Sequence, residues 1–178
     1  AIADLITIKE KHGKLKGARL VFIGVHNNVC NSLIEGCTKT GVKLTTVTPI
    51  INEQARDEEL MQAAKKTGLW QTTLDAKEAV ADADFVYTDT WIDMEFFTDS
   101  RFAAEKEKRM KQMMPYQVNK SLMKSSNAYI MHDMPIHRGY EISADIIEDK
   151  RSVIYEQAEN RLYSAKAILL KLLSTETL

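Results

Sequence analysis

Polar residues follow several apolar, strand-like runs of the sequence, and their types limit the chemistry that the chain can support. Asp89 ends one such run, Asp133 directly follows another, and Asn28 comes shortly after a third, with Arg161 further along. Open parallel sheets bind ligands beyond the carboxyl ends of their strands, so these residues are candidates for one shared site. Carboxylates, amides and arginines together suit a ligand that carries an amine and anionic groups.

The elements that must position these residues alternate between strands and helices. Short runs rich in β-branched and aromatic residues, apolar on both faces and separated by helical patterns, predict a parallel sheet with right-handed crossovers. The predicted fold class is α/β, a Rossmann-like three-layer domain with a central parallel sheet of about five strands flanked by helices. The predicted strands are 20–24, 44–48, 71–74 (the weakest), 85–89, 128–132 and 153–155, and the predicted helices are 29–40, 53–67, 76–80, 101–113, 119–125 and 155–173.

Length and composition indicate a single domain over residues 1–178 and exclude several functional classes. The net charge of -1 provides no basic surface for nucleic acid. No apolar run approaches the roughly 20 residues that span a bilayer, and residues 1–10 do not resemble a signal sequence, so we expect a cytoplasmic protein without a membrane partner. Cys30 and Cys37 fall in one predicted helix and are expected to be buried, reduced thiols.

A nucleotide-binding oxidoreductase is one alternative for such a fold, but its phosphate-binding loop is missing. The next glycine after Gly24 is Gly36, and the second predicted strand ends at Thr48-Pro49 without an acidic residue. The G-x-G-x-x-G mechanism is therefore absent, and this alternative rests on analogy of fold alone.

Six ordered motifs extend over nearly the whole chain. They are Ala-Ile-Ala-Asp-Leu-Ile-Thr-Ile at 1–8, Gly-x-x-Asn-Asn at 24–28, Tyr-Thr-Asp-x-Trp at 87–91, Tyr-Gln-Val-Asn at 116–119, Met-His-x-x-Pro-x-His-Arg-Gly at 131–139 and Gln-Ala-Glu-Asn-Arg at 157–161. In this order they resemble the ornithine/aspartate carbamoyltransferase family, and most closely the second, amino-acid-binding domain of its ornithine carbamoyltransferases. The resemblance implies transfer of a carbamoyl group from carbamoyl phosphate to an amine, with no cofactor and no metal.

The resemblance also implies a role for each candidate residue. Asn28 and Asp89 match the residues that hold the amino acid, and Asp93 and Met94 fall where the family has the Ser-Met of its substrate loop. For carbamoyl phosphate, the matching positions are Asp133, Met134 and Arg161.

Departures from the family pattern include Val25 for aspartate and Met134 for leucine. Three of them add an acid, with Asp93 for serine, Glu95 for glycine and Asp133 for the cysteine beside the reacting amine. We hypothesise that Asp133 accepts a hydrogen bond from the acceptor amine and takes its proton. The added acids leave the identity of the acceptor open. They also permit an alternative function, a carbamoyltransferase-like protein that binds an amino acid or amine without catalysis.

The resemblance further implies that much of the enzyme lies outside this chain. The family's first domain, which carries the phosphate-binding loop, should precede Ala1, so we expect the isolated domain to be inactive. Its expected partners are carbamoyl phosphate, an amino-acid or amine acceptor, its own N-terminal domain and, in the full-length protein, further copies in a trimer.

Structural alternatives exist for the same residues. Asp89 could cap a turn, Asn28 could cap a helix, and Arg161 could pair with Glu156 or Glu159 on a helix surface. The loop residues His132, Asp133 and His137 also allow a weak metal-ligand interpretation, which we do not adopt.

Overall fold

A five-stranded parallel sheet forms the centre of the chain. The computed structural model describes residues 1–92 and 100–174. The α/β fold class predicted from the sequence is confirmed. The strands are β1 Arg19–His26, β2 Lys43–Ile51, β3 Trp70–Thr72, β4 Phe85–Thr88 and β5 Tyr129–His132.

The order of the strands creates one special position in the sheet. The spatial order is β3-β2-β1-β4-β5, so the chain builds outward from β1 to one edge and then returns beside β1 to build to the other edge. The connections after β1 and β4 therefore diverge to opposite sides and leave a crevice between the carboxyl ends of these two strands. Ligands of open α/β sheets bind at such a switch point.

Helices cover both faces of the sheet. Two of them begin at a side-chain cap and end at a left-handed glycine: Asn27 and Gly41 enclose α2, and Asp57 and Gly68 enclose α3. The helices are α1 Ile2–His12, α2 Asn28–Thr40, α3 Glu58–Thr67, α4 Ala76–Ala81, α5 Ala103–Met113, α6 Ala144–Ile147 and α7 Ile154–Leu173, with short 3-10 helices at Glu53–Ala55, Ser100–Phe102, Met114–Tyr116 and Leu122–Ser125.

Alternate residues of the central strand β1 enter two separate cores. In β1, Leu20 and Phe22 face the core that contains residues of α1, α2 and α3, whereas Val21 and Ile23 face the core that contains residues of α4, α6 and the 3-10 helix Leu122–Ser125. Successive side chains of a strand point to opposite faces, so apolar residues are needed at each of the four consecutive positions 20–23. This explains the continuous apolar runs of the sequence.

Three element predictions were wrong in detail. No strand forms at 153–155: Ser152 makes an isolated bridge with Ile130, and the chain then enters α7, whose first helical bond joins Gln157 N to Val153 O. The β-branched residues there are buried as the start of a core helix. The predicted helix at 53–67 is a 3-10 turn followed by α3, and that at 119–125 is a 3-10 helix at Leu122–Ser125.

The last two turns of α7 expose a leucine-rich surface. Leu169, Leu170, Leu172 and Leu173 are between 57% and 78% exposed. A contiguous apolar surface of this kind is typical of an interaction site. No helix in the part of the chain that the structure describes is both long and apolar enough to cross a membrane.

Arg151 anchors the turn that leads into β5. Its guanidinium donates to Met123 O at 3.2 Å and Ser126 O at 2.6 Å, and it forms a two-bond ion pair with Asp149. The side chain is 21% exposed. These bonds fix the turn that leads into β5.

We expect Arg151→Met to lower the free energy of unfolding by roughly 2–3 kcal/mol, because two buried carbonyl groups and one carboxylate lose their donor. Arg138→Met is the matched control, since Arg138 is 56% exposed and pairs with Glu148 at 3.5 Å. It should change stability by less than about 1 kcal/mol. Urea unfolding of the three proteins measures the difference, and equal effects of the two substitutions would refute the anchoring role.

Candidate functional site

The candidate site lies at the carboxyl ends of β1, β4 and β5, and Asn27, Asp89 and Asp133 define what we call the carboxyl rim. Asn27 has two contacts because it caps α2 directly after β1. Its Oδ1 accepts from Cys30 N at 3.0 Å, and its Nδ2 donates to Asp89 Oδ2 at 2.7 Å. One amide side chain thus joins the start of a helix to the neighbouring strand.

Asp89 follows β4 and is held by hydrogen-bond donors from two sides. Besides Asn27, its carboxylate accepts from Thr90 N at 2.6 Å and from Thr90 Oγ1 at 3.3 Å. The residue is only 5% exposed. The predicted turn contact is therefore real, and it coexists with a long-range contact across the switch point.

Asp133 follows β5 and interacts with Asp89. Burial and the charge of the Asp89 carboxylate, together with a hydrogen bond to Asp89 and the charge of Asp4, raise the pKa of Asp133 to about 8. The carboxyl group of Asp133 therefore holds its proton more tightly than an exposed aspartate does. Among the described residues, the buried Oδ1 atom of Asp133 has no hydrogen-bond partner.

The loop that carries Asp133 is shaped by a buried His132–Glu141 contact. His132 Nδ1 accepts from Met134 N at 2.8 Å, so the other ring nitrogen, Nε2, carries the proton and donates to Glu141 Oε1 at 3.2 Å. Glu141 Oε1 also accepts from His137 N at 2.6 Å. Met134 is 36% exposed and has a left-handed φ of 55°, a conformation that a non-glycine residue seldom adopts.

Helix α7 holds the same loop through two hydrogen bonds to its backbone. Arg161 Nη1 donates to Asp133 O at 2.8 Å, and Gln157 Oε1 accepts from His132 N at 2.9 Å. Gln157 Nε2 in turn donates to the buried carboxylate of Asp4 at 2.8 Å. Arg161 does not form the alternative surface pair, since Glu156 pairs with Lys11 and Glu159 accepts from Tyr163.

The structure brings together most of the residues that the sequence predicted, with one replacement. Asp89, Asp133 and Arg161 lie along the carboxyl rim. The helix cap is Asn27, not Asn28, because the first asparagine after β1 has the extended backbone that a cap needs. Asn28 is exposed at the first turn of α2. Asp93, Met94 and Glu95 lie outside the described residues.

Several contributors to the site were missed. Asn27 was visible in the Gly-x-x-Asn-Asn motif as the first residue able to cap α2. Asp4 had a helical signal, since its spacing to Thr7 and Ile8 puts it on the buried face of α1. Gln157 and Glu141 act through contacts with His132, and nothing in the local pattern marks such contacts.

The thiols near the rim are not nucleophiles. Cys30 and Cys37 are buried as expected. Burial raises the pKa of Cys37 to about 12 and that of Cys30 still further. In residues 1–92 and 100–174, no group of three or more His, Cys, Asp and Glu side chains has an arrangement that could hold a metal ion.

A cavity of about 320 Å³ opens at the opposite edge of the sheet, where β1, β4 and β5 begin. Arg19 and Asp84 line it and neutralise each other through a two-bond ion pair, with Nη2 to Oδ1 at 3.0 Å and Nε to Oδ2 at 3.2 Å. This pair is therefore satisfied within the chain. At the carboxyl rim, by contrast, the buried Oδ1 of Asp133 has no partner among the described residues.

Comparisons with known proteins give concordant matches over nearly the whole chain. The family model described as aspartate/ornithine carbamoyltransferase, Asp/Orn binding domain, matches residues 16–172. Ornithine carbamoyltransferases from Archaeoglobus fulgidus and Pyrococcus horikoshii are 43% and 41% identical over 99% and 97% of the chain. The solved ornithine carbamoyltransferase of Pyrococcus furiosus superimposes with a TM-score of 0.82 at 40% identity over 95% of the chain.

The chain spans only part of these relatives. It covers 56% of the Archaeoglobus protein, 54% of the Pyrococcus horikoshii protein and 54% of the solved Pyrococcus furiosus chain. The relatives therefore contain a large further part that has no counterpart here.

The raised pKa of Asp133 predicts that the free energy of unfolding falls as pH rises. Between the ordinary pKa of an aspartate, near 4, and about 8, the folded chain keeps a proton that the unfolded chain has lost, so higher pH favours unfolding. Asp133→Asn imitates the protonated acid and removes this dependence. Relative to the variant, the wild type should lose about 3–4 kcal/mol of unfolding free energy between pH 5 and pH 8.

Urea unfolding at several pH values measures this difference. Asp145→Asn is the control, because Asp145 is an exposed aspartate that pairs with Lys120 and whose pKa is lowered by its hydrogen bonds to Ser143 and Lys120. Parallel stability curves for wild type and Asp133→Asn would show that Asp133 is ionised in the folded chain.

Proposed function

Because the chain belongs to the aspartate/ornithine carbamoyltransferase family, we propose that it is the amino-acid-binding domain of an enzyme that transfers a carbamoyl group from carbamoyl phosphate to an amine and releases phosphate. The observation that carries the proposal is the chain of contacts from Asn27 through Asp89 to Asp133, with Arg161 bound to the same loop. Relatives named ornithine carbamoyltransferase support ornithine as the acceptor.

The chemistry requires a neutral amine. A free alkyl ammonium has a pKa near 10, so at neutral pH it must lose a proton before its nitrogen can attack the carbonyl carbon. The C–N bond then forms, the bond from carbon to the bridging phosphate oxygen breaks, and phosphate leaves with the electron pair. In its ionised form, the Asp133 carboxylate is the proposed acceptor for the proton of the amine.

The remaining roles follow from position at the rim. Asp89, fixed by Asn27 and Thr90, binds the amino group of the acceptor. Asn28 is exposed at the start of α2, where its amide can reach the carboxylate of an amino acid. Arg161 contributes to binding of carbamoyl phosphate, because a guanidinium has five N–H donors and its contact with Asp133 O uses only part of them.

Residues beyond these complete the proposed site. Met134 lies beside Asp133 on the same loop, and its backbone is the proposed contact with the carbamoyl group. Asp93 and Met94 are proposed for the amino acid on the ground of their motif alone. The part of the relatives that this chain does not cover would supply the main phosphate-binding groups, and the full-length protein would act as a trimer in arginine metabolism.

We expect the full-length protein to carbamoylate ornithine, and Asp89→Asn to lower kcat/KM by about 100-fold or more, because one charged contact to the amine is lost. Asp145→Asn, which changes an exposed aspartate on α6, should keep wild-type kinetics. Citrulline formation from carbamoyl phosphate and ornithine is the measurement, with putrescine, lysine and aspartate as competing acceptors.

Each outcome of this assay has a distinct meaning. Preference for another amine would change the acceptor and keep the reaction. Binding of an amine without any carbamoyl transfer would instead identify a non-catalytic amino-acid or amine-binding protein. Unchanged turnover after Asp89→Asn would remove Asp89 from the amine site.

The leucine-rich surface of α7 is the proposed contact with the rest of the full-length protein. Leu169 and Leu173 are 57% and 78% exposed, so replacing both with serine should change the unfolding free energy of this chain by less than about 0.5 kcal/mol. In the full-length protein the same double substitution should lower stability by several kcal/mol, because two leucines would leave an apolar contact. Equal, small effects in both proteins would place this surface in solvent.

A further inference from the structure

The carboxyl group of Glu141 joins the two ends of the loop that carries Asp133. Its Oε1 atom accepts from His132 Nε2 at 3.2 Å and from His137 N at 2.6 Å. Its Oε2 atom is buried without a hydrogen-bond partner in residues 1–92 and 100–174, and it lies 3.9 Å from His137 Nδ1. The side chains of Glu141 and His132 are both fully buried. One carboxyl group therefore fixes the loop where it begins and where it ends.

The backbone around Glu141 is held independently of its side chain. Glu141 O accepts from Val118 N at 2.9 Å. The Gln117 side chain donates to Gly139 O at 3.0 Å and to Tyr140 O at 2.9 Å. These bonds attach the segment that carries Glu141 to a part of the chain outside the loop. The carboxyl group therefore acts on the loop from a fixed position.

The other ring nitrogen of His132 faces two competing groups. His132 Nδ1 accepts from Met134 N at 2.8 Å and lies 3.5 Å from Asp133 Oδ1, a buried oxygen that has no hydrogen-bond partner within the described part of the chain. A neutral imidazole carries one proton, so Nδ1 accepts from the Met134 amide or donates to the Asp133 carboxyl group, but not both. With the proton on Nδ1, the amide of Met134 would lose its acceptor.

Resting on the proposed function, we propose that Glu141 is a positioning residue that selects the tautomer of His132 and thereby prepares the loop for the carbamoyl group. An acceptor at Nε2 keeps the ring proton there, because the hydrogen bond of one imidazole nitrogen decides which nitrogen is protonated. Nδ1 then remains an acceptor and holds the amide of Met134, whose φ of 55° is left-handed. The backbone of Met134, the proposed contact with the carbamoyl group, is thus placed before any ligand arrives.

Removal of the acceptor at Nε2 favours the opposite tautomer. The ring proton would move to Nδ1 and bond to Asp133, and the amide of Met134 would be released. In the proposed site this loop contacts the carbamoyl group, whereas the main phosphate-binding groups lie in the part of the relatives that this chain does not cover. Loss of the Glu141 carboxyl group should therefore weaken binding of carbamoyl phosphate and leave binding of inorganic phosphate unchanged.

Nitrogen NMR of this chain at neutral pH measures the tautomer. The sequence has four histidines, so the ring signals of His132 can be identified by their loss in His132→Gln. In the wild type we expect a protonated Nε2 and an unprotonated Nδ1. Glu141→Met keeps the length of the side chain without its oxygens, so it should move the proton to Nδ1 and speed hydrogen exchange of the Met134 amide by about tenfold or more. Glu141→Gln keeps an acceptor oxygen and should retain the wild-type tautomer. The wild-type tautomer in Glu141→Met would refute the selection.

Kinetics of the full-length protein measure the positioning role. For Glu141→Met we expect the KM of carbamoyl phosphate to rise about tenfold, while the inhibition constant of inorganic phosphate stays within about twofold of the wild-type value. Glu141→Gln should change neither constant by more than about threefold. A side chain that only stabilises the fold would instead lower kcat through the fraction of folded enzyme and leave the KM of carbamoyl phosphate unchanged. That result would rule out the positioning role.

A second variant tests the same route from the ring. His132→Gln keeps an N–H donor for Glu141 and removes the acceptor for Met134 N, so it should raise the KM of carbamoyl phosphate as Glu141→Met does, and it replaces Glu141→Met if that variant does not fold. A wild-type KM in His132→Gln, in an enzyme that still transfers carbamoyl groups, would overturn the positioning role alone. Absence of carbamoyl transfer by the wild type would overturn the proposed function and the positioning role together.

Discussion

Two carboxyl groups held within hydrogen-bonding reach in a mostly buried place constrain everything around them. Asp89 accepts hydrogen bonds from Asn27 and from the backbone and side chain of Thr90. Asp133 has no donor on its buried Oδ1, and burial beside Asp89 raises its pKa to about 8. The two chemically identical side chains therefore differ in their hydrogen-bond donors. The strand order that brings β1 beside β4 places the Asn27 donor next to Asp89.

The rim depends on an unusual polar contact between the two ends of the chain. Helix packing is normally apolar, yet α1 and α7 meet through buried polar pairs. Gln157 joins Asp4 to the backbone of His132, and Asn160 donates to Thr7 at 3.0 Å. These bonds hold α1 against α7 in one register, because a shift by one turn would leave several buried groups unpaired. The first and last helices thereby fix the position of the loop that carries Asp133.

The alternation of strands and helices was readable from the sequence, whereas contacts across space were not. The strands at 20–24, 44–48, 85–89 and 128–132 were predicted because they are rich in β-branched and aromatic residues, as expected of a sheet covered on both faces. The run at 153–155 has the same local character, but it continues into a helix, and short apolar runs do not distinguish the two. Asn28 and Asn27 are adjacent and identical, so only the backbone of the cap decides which one meets Asp89.

A carboxyl group at position 133 is unfavourable in the chain without a ligand, and this limits the functions that it can serve. The energy needed to ionise Asp133 beside Asp89 is present before any ligand arrives, and a thiol or an amide at the same position would avoid it. Such a residue is favourable only in a state that supplies positive charge. A cation bound between the two acids would remove their repulsion and allow Asp133 to ionise, so part of the binding energy would come from relief of a strain that folding has already built into the rim.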